Sequence, residues 1–138
     1  MLRISIDLRR GGRGIALATA LLFAGSTLPA EAPSSGKPKE FIQGIKALDK
    51  NRLKESETFM QGAEAKLPGD GELVRIYGTR YEPYLPLYYL GLALYRQGDC
   101  PGALVHWRRC LSSGALQRTD RRDALLQYIE EAGSCQNQ

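Results

Sequence analysis

The stretch PYLPLYYLGLALYRQGDCPGALVHWRRCLSSGA, residues 83–115, decides how the rest of the chain is read. Leu87, Leu90, Gly91 and Leu94 recur at helical spacing, Gln97-Gly98-Asp99 interrupts them, and Ala103, Trp107 and Leu111 resume it. Two helices joined by so short a turn lie antiparallel. Gly91 and Ala103 fall where the two backbones approach closely, and a large side chain there would push them apart.

Outward from that hairpin, a weaker one precedes it. Phe41, Ile42, Ile45 and Leu48 form one apolar stripe, Asp49-Lys50-Asn51 breaks it, and Leu53, Phe59, Met60, Ala63 and Leu67 form the next. Pro68-Gly69-Asp70-Gly71 stops that helix. A last helix, expected over about 119–133, is capped by Thr119 or Asp120 and turns Ala124, Leu125, Tyr128, Ile129 and Ala132 inward. Arg122, Gln127, Glu130 and Glu131 face water, and Gly133 ends it.

The order Leu87-x2-Leu90-Gly91-x2-Leu94, then Ala103-x3-Trp107 with Cys110 beyond, resembles the tetratricopeptide repeat, whose pattern is W-x2-L-G-x2-Y, then A-x3-F, then P. Gly44, Ala47, Ser56, Met60, Ala63 and Pro68 fall at the small and terminal positions of a divergent first repeat, although Glu40 and Gln43 stand where Trp and Leu belong. The resemblance implies an all-α fold: a right-handed stack of two antiparallel helical hairpins, about 40–68 and 84–115, with a C-terminal capping helix. It also implies a groove lined by the first helix of each hairpin, here Phe41, Ile45 and Leu48 beside Tyr88, Leu92, Tyr95 and Arg96. On this reading the two hairpins share one interior and no strand lies between Phe41 and Ala115.

Gly44 and Gly91 are 47 residues apart, where abutting repeats would give about 34. The excess forms an insert at about 69–83. Leu73, Ile76, Tyr77, Tyr81 and Tyr84 with Arg75 and Arg80 make it too aromatic for a free linker, so it either covers the core or binds something.

Residues 1–32 have a basic start and a short apolar run, 14–25, the form of a secretory signal peptide cut after Ala32, Ala30 or Ser26. The alternative is an uncleaved N-terminal membrane anchor. Residues 33–39 then form a polar linker with two prolines, and order is expected to begin near Lys39. An exported chain can hold disulfides. A capping helix antiparallel to Cys100–Leu111 returns Cys135 to Cys100, closing a loop of about 35 residues, while Cys110 reads as a free core thiol. Another pairing, or no bridge, remains open.

The formal net charge of +4 is concentrated at the start. Beyond residue 32 there are 15 cations against 13 anions, with no basic patch of interleaved aromatics to take nucleic acid. No catalytic constellation stands out. His106 with Cys110 and Cys100 offers too few ligands on one helix face for a metal site, and neither Glu130-Glu131 nor Glu55-x-Glu57 has an acid partner. No cofactor is expected. Tyr88, Leu92 and Tyr95 give the helix beginning at Tyr84 a second apolar side. That side either serves a peptide or helix of another protein, which makes the chain a scaffold or adaptor, or pairs two copies in a homo-oligomer.

Overall fold

Helix formation begins just after Pro38, and the element order is α1 (Lys39–Asp49), α2 (Leu53–Lys66), β1 (Leu73–Tyr77), β2 (Arg80–Pro83), α3 (Pro86–Arg96), α4 (Cys100–Ser112), a 3-10 turn (Ala115–Arg118) and α5 (Arg121–Cys135). The computed structural model describes residues 36–135. The signal-peptide reading of 1–32 lies outside the described residues. None of the described helices is long and apolar enough to cross a membrane.

The chain is mostly helical, as the apolar periodicity implies. α1 pairs with α2, α2 with α3 and α3 with α4, so the two helical hairpins lie side by side over one continuous core. Asn51 makes the first turn in the left-handed region at φ 56°, which asparagine tolerates. Ser56 is fully buried and donates to the carbonyl of Gly44 at 2.9 Å, tying α2 to α1. In the second hairpin Asp99 caps α4, its carboxylate accepting from the N–H of Gly102 at 2.9 Å. Pro86 opens α3, where its missing N–H costs nothing.

The close approaches occur at the glycines. A Cβ on Gly44 would stand 2.7 Å from the end of Met60, and one on Gly91 would meet the Trp107 ring. Trp107 is fully buried, and its indole N–H donates to the carbonyl of Tyr88 at 3.0 Å. Ala103 is likewise fully buried on α4.

The insert corrects the strand-free expectation. β1 and β2 pair antiparallel, with Val74 opposite Glu82 and Arg75 opposite Tyr81, and the register shifts between Arg75 and Tyr77. The exposure alternates along β1: Val74 and Ile76 are buried in the core, while Leu73, Arg75 and Tyr77 face out. The inner face of the insert therefore covers the core, the first of its two expected roles. α3 also starts later than Tyr84. That residue is fully buried in the connection, and its hydroxyl donates to the carbonyl of Leu67 at 2.8 Å, with that of Ala63 at 3.2 Å. It thereby caps the carbonyl of Leu67 at the end of α2, while the Ala63 carbonyl also accepts from the N–H of Leu67 at 3.0 Å.

Order starts before Lys39. Lys37 pairs with Asp70 and, at 3.2 Å, with Glu72, and lies 5.1 Å from the centre of the Tyr84 ring. At the other end α5 packs on α4 and continues past Gly133 to Cys135. The sulfurs of Cys100 and Cys135 stand at disulfide distance, with their Cα atoms 6.5 Å apart. Cys110 is buried and free.

Candidate functional site

The polar end of the hairpin is where helices and strands meet. Glu82, buried on β2, is held from three sides: its carboxylate accepts from Arg80 Nε at 3.0 Å, from an Arg121 terminal nitrogen at 2.9 Å and from the Tyr89 hydroxyl at 2.7 Å. A carboxylate taken out of water keeps its charge only with such partners. Arg80 also grips Asp49 at the end of α1 through both terminal nitrogens, one of them at 3.2 Å, and donates to the Tyr77 hydroxyl at 3.0 Å. The hydrogen bonds to Asp49 and Tyr77 raise the guanidinium pKa further. The hairpin is thus clamped to α1, α3 and α5 by charge-assisted bonds.

Beside this clamp opens a cleft of about 210 Å³. Leu48, Tyr88 and Leu92 supply its apolar lining, Tyr128 closes it from α5, and Arg80, Arg96 and Arg121 stand around it with Asp49 and Glu82. Three cations against two anions leave the lining at +1. Asp49 and Glu82 are already engaged, whereas Arg96 is exposed and has no ion-pair partner among the described residues. Burial, with Tyr128 adding to it, pushes the Tyr88 phenol up to about 12, so it stays protonated and able to donate.

Of the seven residues expected to line a groove, Leu48, Tyr88, Leu92 and Arg96 meet at this cleft. Phe41 and Ile45 do not. Both are in the core, and Phe41 packs edge-on against Tyr84 and Tyr89 at ring separations of 4.9 and 5.7 Å. Tyr95 turns toward the cap, 5.6 Å from Trp107 and 6.1 Å from Tyr128. The second apolar side of α3 is therefore largely covered, in part by Tyr128 of α5, whose ring lies 6.4 Å from that of Tyr88 and stacks on Trp107 at 5.5 Å. The sequence reading places Arg80 in the insert without a partner, and the association of Glu82 with Arg121 escapes it because it spans 39 residues and leaves no local pattern.

The groups with chemical reach, His106 and Cys110, lie outside this cleft on α4. Burial pushes the Cys110 thiol up to about 12, which leaves it protonated and unreactive. Burial and then Arg109 lower the pKa of His106, whose Nδ1 is buried without a hydrogen-bond partner. Among the described residues no group of three His, Cys, Asp or Glu side chains is placed to hold a metal ion.

No family model, curated protein or solved structure matches the chain.

Proposed function

We propose that the protein is a non-catalytic interaction module, a tetratricopeptide-like scaffold or adaptor exported from the cytoplasm, that holds a peptide or helix of another protein in the cleft beside α1 and α3. The observation that carries this reading is the meeting of Leu48 from α1 with Tyr88, Leu92 and Arg96 from α3 around one opening. In a stacked-hairpin scaffold the first helix of each hairpin lines the concave side, and these four residues come from the two first helices. The close approaches of Gly44 to Met60 and of Gly91 to Trp107 support the tight packing within each hairpin from which such a stack is built.

A cleft of about 210 Å³ lies below the roughly 300–1,000 Å³ typical of small-molecule sites, so it suits one or two anchoring side chains of a partner rather than a cofactor. The rest of the partner contact then spreads over the surrounding surface, with Arg96 at its edge. Arginine and tyrosine are the residue types that carry interface energy. Pairing of two copies through Tyr88, Leu92 and Tyr95 is the less favoured alternative. That pairing needs Tyr95, which is packed on the cap against Trp107 and Tyr128.

Burial also decides the choice of variant. Replacing Tyr88 or Tyr95 by alanine removes core packing, whereas Arg96→Glu changes an exposed, unpaired side chain. That variant retains the helical circular dichroism and loses about tenfold or more of its partner affinity, because it reverses a charge at the rim. Capture from envelope extract unchanged by Arg96→Glu contradicts the assignment of the cleft. A dimer in light scattering that Arg96→Glu dissociates favours the homo-oligomer instead.

A further inference from the structure

The outward face of the β-hairpin takes no part in the cleft proposed above. Leu73, Tyr77 and Tyr81 are 67%, 52% and 53% exposed, three of the largest apolar exposures among the described residues. Leu73, Arg75 and Tyr77 share one face of β1, and Tyr81 stands directly opposite Arg75 across the ladder. The inner face is anchored in the core through Val74 and Ile76, and Arg80 fixes Tyr77 by its hydrogen bond and by lying 5.5 Å from the ring centre. The apolar side chains are thus presented on a held platform.

Unneutralised cations border that platform. Arg75 donates its Nε to the carbonyl of Gly78 at 2.7 Å and has no acidic partner, and neither Lys46 nor Lys50 has one among the described residues. Lys46 and Lys50 line an open depression of about 450 Å³ together with Tyr77 and Asp49. The one acid there is already held by Arg80. The depression is wide enough for a phospholipid headgroup, and its free charges favour a phosphate.

We propose that this face docks the protein on an anionic lipid surface, with Leu73, Tyr77 and Tyr81 entering the headgroup boundary and Lys46, Lys50 and Arg75 meeting lipid phosphates. Tyrosine suits that boundary because its ring is apolar and its hydroxyl is wet, and long cationic side chains reach from an apolar contact to the phosphates. Charge complementarity selects lipid bearing net negative charge over neutral lipid. The attachment is peripheral, and of the residues that line the depression only Asp49 also lines the cleft.

The test places a fluorescent reporter in the platform by Tyr81→Trp in the full chain. The native Trp107 is fully buried and remains silent to lipid. The apolar run 14–25 can hold the chain to vesicles by itself, so local quenching rather than co-sedimentation is the readout. With vesicles of equal phosphatidylcholine and phosphatidylglycerol carrying brominated chains, emission from position 81 shifts to the blue and is quenched. Lys46→Gln/Lys50→Gln/Arg75→Gln weakens that partitioning at least about tenfold, and Leu73→Ser weakens it severalfold. A reporter that stays unquenched while the chain sediments with vesicles overturns the proposal, as does equal quenching on pure phosphatidylcholine. A response to an octaglutamate peptide without any response to vesicles also overturns it and gives the face to an acidic protein segment. None of these outcomes bears on Arg96, so failure here leaves the cleft untouched.

Discussion

A Cβ on Gly91 would lie 2.1 Å from Nε1 of Trp107, the same nitrogen that donates to the carbonyl of Tyr88. Position 91 must be bare because the indole crosses from α4 to reach the α3 backbone. Gly91→Ala therefore displaces a rigid ring and breaks a buried hydrogen bond. Overpacking costs about 1–3 kcal/mol and an orphaned buried donor about 1–3 more. Urea denaturation should show a loss of about 2–6 kcal/mol, whereas Gly44→Ala, facing the flexible end of Met60, should lose about 1.

Removal of one cysteine tests the cap. If Cys100 and Cys135 are joined, they close a loop with a sequence separation of 35 residues, and Cys135→Ser should cost about 3–4 kcal/mol in the chain-entropy account. Reductant should reproduce that loss in the native chain and have no effect on the variant. Cys110 should resist iodoacetamide until the protein unfolds, given its burial and raised pKa.

The hairpin clamp depends on Glu82. Glu82→Ala leaves Arg121 and Tyr89 facing each other without their acceptor and should cost about 3–5 kcal/mol. Glu82→Gln keeps one carbonyl acceptor and should cost less. Hydrogen exchange should locate the loosening in β1 and β2 before the helices respond.

Alkaline titration should weaken the fold. Burial raises the pKa of Tyr84, Tyr88 and Tyr89 above the ordinary 10.0, with Tyr88 at about 12. The unfolded chain then releases phenolic protons first as the pH climbs. The stability is complete below about pH 10 and is lost as the pH rises toward the folded-state values. Melting temperatures between pH 8 and about 11.5 should fall, and Tyr88→Phe should flatten part of the slope, since no hydrogen bond from the Tyr88 hydroxyl is lost.

The helices were legible because Leu87, Leu90 and Leu94, or Phe41, Ile45 and Leu48, repeat an apolar face at a period no other structure shares. The β-hairpin was written as locally, but in a fainter form. Residues 73–77 alternate outward and inward, and Gly78-Thr79 is the two-residue connection that favours a tight hairpin, with Gly78 at φ 52°. Large apolar residues on both faces hid the alternation. The cleft was half legible: the helical stripe locates Tyr88, Leu92 and Arg96 on α3, but nothing local says that Tyr128 will cover part of that stripe. Arg80, Glu82 and Arg121 come together only once the hairpin and α5 are placed, because ion pairs between distant segments impose no spacing on the sequence.

The most direct measurement places a photo-crosslinking amino acid at Arg96 and, in a control, at Val105, which is 55% exposed on α4. Irradiation in envelope extract followed by peptide mass spectrometry should join position 96 to one segment of a different protein, with position 105 unlabelled by it. Labelling of both positions alike, or of position 96 by a second copy of this chain alone, would contradict the account.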